Sequence, residues 1–303
     1  MLDRESKQGY SLMSKATSDQ YANDIINYYE SCEIDYRLLW RLDRCLALHF
    51  GYWDETTDGV SAALIRENEV LAQRAEITSD DLVLDAGCGV GGSAIYLAKN
   101  IGCQVHGITL VQKQVETART NANQNGVGDL CEFSRQDFCA MDIADNSVDV
   151  VWAIEAVCHA EDKNEFVKEA YRVLKPGGRL IMADFWLSKD SYSADENRLL
   201  QEWVSGWSVN ALEKSFKFKE YLKASQFVDI RIEDVSEHIR PSAKRLHDYA
   251  KYVLWGAKIL EILRIRSRTQ HGNVVAVHRQ YKALNQGLWH YCFVYARKSQ
   301  ASE

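Results

Sequence analysis

The chain has 303 residues, a formal net charge of −7, 46% hydrophobic and 26% charged residues. That balance is ordinary for a globular protein with a substantial core, and the negative charge argues against a nucleic-acid partner, which needs a basic face. Its apolar runs fall short of the roughly 20 residues of a membrane-crossing helix, and eight cysteines with no CxxC pair read as reduced, buried thiols of a cytoplasmic protein, not as a disulfide frame or a metal site.

Residues 1–18 are polar, lack the apolar core of a signal peptide, and read as a disordered tail. From 19 to 47, apolar residues at three- and four-residue intervals (Ile25, Ile26, Tyr29, then Leu38, Leu39, Leu42, Leu46) predict one or two helices. HFGYWDETTDG at 49–59 breaks them, and a further amphipathic helix follows over about 60–75. Together, 19–78 read as an N-terminal helical cap.

Strands and helices then alternate. DLVLDAG (81–87), CQVHGITL (103–110), CEFSRQDF (131–138), VDVVWAIEA (148–156) and RLIMADFW (179–186) read as strands. The stretches 91–101, 111–126 and 163–174 read as helices, with KPGG (175–178) as a turn. Such alternation implies right-handed crossovers and a parallel, doubly wound α/β sheet, placed at 79–190. Beyond it, helices are expected over 192–212, 217–225, 241–265 and 274–288, with strands at 227–236 and 290–298. The segment 191–303 therefore completes a mostly parallel, seven-stranded sheet. It carries a helical lid inserted before the last strand, above the strand ends where open α/β sheets bind ligands.

LDAGCGVGG at 84–92 places Gly87, Gly89 and Gly91 in the turn from first strand to first helix, where glycine lets a ligand approach the backbone. The stretch also satisfies GxGxxG through Gly87, Gly89 and Gly92, which leaves a nicotinamide dinucleotide as an alternative. Asp85 at the strand end is unwelcome to a pyrophosphate, and the downstream elements decide the matter. Asp85–Gly91 resembles motif I of class I S-adenosylmethionine-dependent methyltransferases. Gln136, Asp137 and Phe138 resemble the element whose acid accepts a hydrogen bond from the adenine amino group. AIEAVCHAEDK (153–163), YRVLKPGG (171–178) and GITLVQKQ (107–114) are similar to the sterol C-methyltransferases, with tocopherol and other small-molecule methyltransferases near behind.

The resemblance covers about 80–185. It implies a Rossmann-like methyltransferase fold, S-adenosylmethionine as cofactor, and cofactor contacts from Asp85, Gly87, Cys88, Gly89, Gly91, Asp137, Phe138 and Glu155. Where many class I enzymes hold the ribose with an acid, this chain has Thr109 and Leu110. Gln114 matches the glutamine that serves the ribose in the sterol-like and cyclopropane-synthase-like groups. YYE (28–30) and HFGYW (49–53) resemble cofactor-covering segments of cyclopropane synthases, which puts Tyr29 at the cofactor and Tyr52 on the methyl path.

Glu155 and His159 lie four residues apart after the fourth strand. On a helical turn they would share a face, and they are the expected acid–base pair. Trp186, Trp207, Trp255 and Tyr281, with Trp203, Tyr252 and Trp289 nearby, give the lid an aromatic content suited to a hydrophobic substrate pocket. Arg264, Arg266, Arg268 and His271, with Arg240, Lys244 and Arg245 upstream, read as a solvated helix end or as a clamp for a phosphate. The expected reaction is methyl transfer to a small hydrophobic acceptor. Its foremost form is C-methylation of a prenyl diphosphate or sterol-like isoprenoid, with O- or N-methylation of a natural-product scaffold or amine as the alternative. No metal is expected, and a homo-oligomer is compatible with the sequence.

Overall fold

A computed structural model describes residues 23–32, 42–209, 211–262 and 267–300. The expected tail, Arg264, Arg266 and the side chains of Trp255 and Arg268 lie outside the described residues.

Two helical pieces, α1 (23–32) and α2 (Leu42–Cys45), lead into an irregular strap and then α3 (Val60–Arg74). The alternating core follows as β1 (Leu82–Ala86), α4 (Gly92–Asn100), β2 (Gln104–Thr109), α5 (Gln112–Gln124), β3 (Cys131–Arg135), β4 (Val148–Ile154), α6 (Lys163–Val173) and β5 (Leu174–Leu187). A 3-10 turn, Val157–His159, follows β4. Helices α7 (Ala194–Val204) and α8 (Ser215–Ala224) precede β6 (Phe227–Asp234); α9 (Ser236–Ile262) and α10 (Arg268–Asn285) precede β7 (Trp289–Lys298).

The seven strands form one sheet in the order β3-β2-β1-β4-β5-β7-β6. Strands β1 to β5 pair in parallel, and β7 runs antiparallel to both its neighbours. Helices cover both faces, so β1 and β4 are apolar runs rather than alternating ones, and Leu84, Val150, Val151 and Trp152 have no exposure. KPGG belongs to β5 as a bulge: Leu174 faces Val148, and the next partner pair is Arg179 with Val150.

The chain leaves β1 toward β2 and crosses over to β4 on its other side. The sheet therefore has its topological switch between β1 and β4, where a crevice opens at the carboxyl ends. Tyr28 and Cys32 of α1, Leu42 of α2 and Phe50 of the strap join the hydrophobic cluster on one face of the sheet. They roof that crevice. Opposite them, α7, α9 and α10 pack on one another beside β7. None of the helices, among the described residues, is long and apolar enough to cross a membrane.

Candidate active site

The ends of β1, β2, β3 and β4 bring Asp85, Thr109, Asp137 and Glu155 around one cavity of about 710 Å3. That volume suits a cofactor-sized ligand. Gly87, Cys88, Gly89, Leu110, Gln114 and Phe138 line it from the strand-to-helix turns, and Tyr29, Leu46, Leu48 and His49 line it from the cap. All the expected cofactor residues meet here except Gly91. That glycine starts α4 at φ 88° and faces away, where a Cβ would meet Ala118 and Phe133 at 3.1 Å.

The cavity's charge is one-sided. Asp85, Asp137, Glu161, Asp162 and Glu165 all line it, and no lysine or arginine does among the described residues. A pyrophosphate would be repelled there, whereas a sulfonium and an α-ammonium are cations that such walls attract. This electrostatic fit separates S-adenosylmethionine from a nicotinamide dinucleotide, which GxGxxG alone left open. Asp85 is the sharpest element. Burial pushes its carboxyl up to about 7, against the lowering effect of the Ala94 N–H, and its Oδ2 has no partner among the described residues. The Thr109 hydroxyl donates to Gln114 Oε1 at 2.7 Å, which orients the Gln114 amide. Asp137 Oδ1 accepts from the Cys139 N–H at 2.8 Å.

Glu155 sits at φ 47° just past β4, a left-handed turn that aims its carboxyl at the cap. Its Oε1 accepts from Phe50 N–H at 2.8 Å and lies 2.9 Å from the Tyr291 hydroxyl. The same hydroxyl lies 2.8 Å from Oε1 of Glu67, a fully buried residue of α3. One tyrosine proton cannot serve two carboxylates, so one of the two acids must carry a proton. Glu67 Oε2 also accepts from Gly51 N–H at 2.9 Å and lies 2.6 Å from His49 Nδ1. Burial, and next the Glu67 charge, push the Glu155 carboxyl well above its ordinary range. Glu155 is therefore the acid that carries the proton.

His159 Nε2 lies 3.1 Å from the Tyr29 hydroxyl, and Nδ1 lies 3.4 Å from Ser208 O. A carbonyl can only accept, so Nδ1 carries the hydrogen and Nε2 accepts from Tyr29. Burial pushes the ring down to about 4, so it is neutral at neutral pH. It braces cap helix against lid.

A second cavity of about 50 Å3 continues past Leu48, His49, Glu155 and His159, residues that line both, to Phe50, Phe185 and Trp207. Phe50 is ringed by Phe185, Trp207, Trp289 and Tyr291 at centroid distances of 6.0 to 6.3 Å, with Trp203 packed on Trp289 at 4.7 Å. Trp207 lines this smaller cavity. Trp186 does not: strand alternation turns it to the opposite face of the sheet, against Phe218 at 4.7 Å. Tyr52 also points elsewhere, bonding His238 Nε2 at 3.0 Å and stacking on its ring. Tyr281 packs beside His247, and Tyr252 is exposed. Of the basic cluster, Arg240 is bonded to Glu237 and Asn285, and Lys244 to Asp248.

Sequence reading missed Glu67 and Tyr291. Glu67 carried a signal, because it stands midway between Ala63 and Leu71 on the buried stripe of α3, where an apolar residue is expected.

Comparison with known proteins agrees with this chemistry. Residues 84–182 match the family model described as "Methyltransferase domain". The chain is 36% identical over 197 residues to 27-O-demethylrifamycin SV methyltransferase of Amycolatopsis mediterranei, covering 64% of this chain and 71% of that protein. It is 40% identical over 140 residues to a sterol 24-C-methyltransferase of Saccharomyces cerevisiae, but this spans only 46% of this chain and 36% of that one. Among solved structures, geranyl diphosphate C-methyltransferase from Streptomyces coelicolor A3(2), in complex with Mg2+, geranyl diphosphate and S-adenosyl-L-homocysteine, superposes with a TM-score of 0.68. That match has 17% identity, covers 92% of this chain and 98% of the other, and carries the fold alone. The chain belongs to the S-adenosylmethionine-dependent methyltransferases, enzymes that methylate small molecules.

Proposed function

We propose that the protein methylates a hydroxyl group of a small, largely hydrophobic acceptor held between cap and lid. In this reading 19–78 form the cap, 79–190 the cofactor core, and 191–303 complete the core and supply the lid. The observation that carries the acceptor class is the aromatic cluster around Phe50, where the cavity system ends in apolar walls. Oxygen is favoured over carbon by the extent of alignment. The rifamycin relative aligns over 71% of its length, whereas the sterol enzyme aligns over 36% of its own.

Isoprenoid C-methylation is the second reading. Aromatic faces suit a carbocation, and the higher identity to the sterol enzyme supports it. The described part of the basic cluster lends a diphosphate clamp little support, since Arg240 and Lys244 already have partners.

The cofactor, when bound, supplies an electrophilic methyl group on a sulfonium. Asp137 would take the adenine amino group, Gln114 a ribose hydroxyl, and Asp85 the cationic methionine end. Phe138 and Leu110 would flank the base. Glu155, protonated and doubly bonded, holds the strap in place, and His159 with Tyr29 holds cap to lid. The small cavity is far below the ~300 Å3 of an ordinary ligand pocket. Acceptor entry therefore needs cap and lid to part, and the His159–Tyr29 contact is among those to break.

Mass spectrometry after incubation with deuterium-labelled S-adenosylmethionine and pooled phenols, alcohols, amines, quinones, sterols and prenyl diphosphates tests this. A labelled gain on a hydroxyl supports the proposal. A gain on an isoprenoid carbon moves the assignment to the second reading, and a gain on amines alone retires both.

Asp85 adds a pH prediction. Its folded carboxyl stands near 7, above the ordinary 3.8, so the ligand-free fold holds a proton that the unfolded chain releases. Stability of the free protein thus declines as pH rises from about 4 to 7. A cationic ligand needs the ionised form, so its binding expels that proton, and affinity for S-adenosylmethionine falls as pH drops below about 7, by at most about tenfold per unit. Calorimetric titration across that range should show the slope in wild type and lose it in Asp85→Asn. A flat wild-type profile would sink the assignment.

A further inference from the structure

We propose that His49 is the general base that takes the acceptor's proton, with Glu67 as its positioning partner. The inference rests on the hydroxyl-acceptor reading above and names the group that the reading lacks.

Three observations meet at this residue. His49 is only 7% exposed, and its Nε2 has no hydrogen-bond partner among the described residues. The side chain lines both cavities, so it stands at the passage between the cofactor space and the aromatic pocket. Its Nδ1 faces Glu67 Oε2 at 2.6 Å. Glu67 Oε2 already accepts from Gly51 N–H and Oε1 from the Tyr291 hydroxyl, so Nδ1 supplies the hydrogen and Nε2 keeps its lone pair. A buried imidazole with one nitrogen tied to a carboxylate and the other bare is the arrangement by which a histidine serves as a proton acceptor.

The other candidates are already committed. His159 uses both nitrogens, on Tyr29 and Ser208. Glu155 carries a proton and is held by Phe50 and Tyr291. Around the smaller cavity His49 shares the wall with the ionisable groups Tyr28 and Tyr29 of α1 and Glu155, Cys158 and His159 after β4, and Glu67 of α3 stands behind it.

The step balances. His49 Nε2 forms a bond to the hydroxyl proton, and the acceptor oxygen keeps the O–H electron pair. That oxygen bonds the methyl carbon as the carbon–sulfur bond breaks, leaving its pair on sulfur. The imidazolium is held against the Glu67 carboxylate until its proton passes to solvent. Glu67 in turn is fixed by Gly51 N–H and the Tyr291 hydroxyl.

The test uses the full chain bound to S-adenosylhomocysteine, isotope-labelled at the histidine nitrogens. Nuclear magnetic resonance near neutral pH should find one ring, absent in His49→Gln, with a hydrogen on Nδ1 and none on Nε2. A His49 ring carrying its hydrogen on Nε2 alone overturns the proposal. On the hydroxyl acceptor from the mass-spectrometric panel, folded His49→Gln should lose kcat by about a hundredfold or more. Imidazole should restore part of the turnover in His49→Ala, which a merely structural role would not allow. Glu67→Gln keeps the shape but removes the charge, so the acid limb of its kcat/KM profile should move to lower pH. Wild-type kcat in folded His49→Gln overturns the proposal. A panel with no methylated hydroxyl retires the acceptor class, and the tautomer measurement then decides the dyad independently.

Discussion

Gly87→Ala should lose both fold stability and cofactor binding, whereas Gly89→Ala should lose binding alone. The two glycines stand two residues apart in one loop, yet they meet different surroundings. Gly87 has φ 94°, and a Cβ there would lie 2.4 Å from Ala156 Cβ, on the turn that carries Glu155. Neither atom is the end of a flexible side chain, so β1 and the β4 turn must separate. Left-handed backbone costs about 1–2 kcal/mol and overpacking about 1–3 kcal/mol, for a loss on the order of 3 kcal/mol. Gly89 has φ 52°, and a Cβ there meets nothing within 4 Å, because it would stand in the cavity. Only the smaller backbone cost falls on its fold, while the new methyl occupies ligand space. Thermal unfolding and calorimetric titration with S-adenosylhomocysteine, run on both variants, check this. Wild-type affinity in Gly89→Ala would show that the loop is a turn and not a ligand cradle.

The same loop explains why its third glycine imitates a dinucleotide fingerprint. A Cβ on Gly92 would sit 2.1 Å from the carbonyl oxygen of Leu46. The glycine makes room for the cap strap rather than for a pyrophosphate. Sequence pattern records that a close approach happens but not what approaches, which is why GxGxxG by itself stays ambiguous.

The core was legible because its strands are short apolar runs closed by glycine or turn residues, and burial on both faces demands that pattern. The lid was legible in kind but less so in extent. Pro241 reads as a helix start, yet α9 begins at Ser236, with Asp234 Oδ1 accepting from Ser236 N–H. Pro241 lies in the second turn, past the N–H groups that no helix satisfies, so the helix gives up the bond that an N–H there would make to Glu237 O. The start of α10 was written in the chain: Ser267 and Gln270 form a reciprocal capping box, six residues before the expected helix. Trp186 and Phe185 show the limit of composition. Adjacent on β5, they enter different cores, and only the register decides which one faces the ligand.

At the site, the motif resemblance pointed to residues that a single loop or strand end supplies: Asp85, Gly87, Gly89, Gln114, Asp137 and Glu155. It could not locate a network drawn from the strap, α3, β4 and β7, because His49, Glu67, Glu155 and Tyr291 meet only after folding. Nor could it assign protons. Glu155 alone in an apolar stretch invites the role of base. Beside Glu67 and a shared tyrosine, it holds a proton instead.

That assignment predicts an inversion. If Glu155 were the base, Glu155→Gln would abolish turnover. As a neutral acid it is replaced by glutamine without loss of a charge, and a glutamine carbonyl in the place of Oε1 still accepts from Phe50 N–H. Glu155→Gln is therefore expected to keep most of wild-type kcat and melting temperature. Glu155→Ala strands the Phe50 N–H and leaves a gap under the strap, at about 1–3 kcal/mol for the unsatisfied donor alone. The strap carries His49, so its turnover should fall steeply even where the protein remains folded. Melting curves and kcat for the two variants, measured side by side, separate the cases. An inactive, fully folded glutamine variant would return Glu155 to the role of base, whereas an active glutamine variant beside a crippled alanine variant would leave proton abstraction to a group other than Glu155.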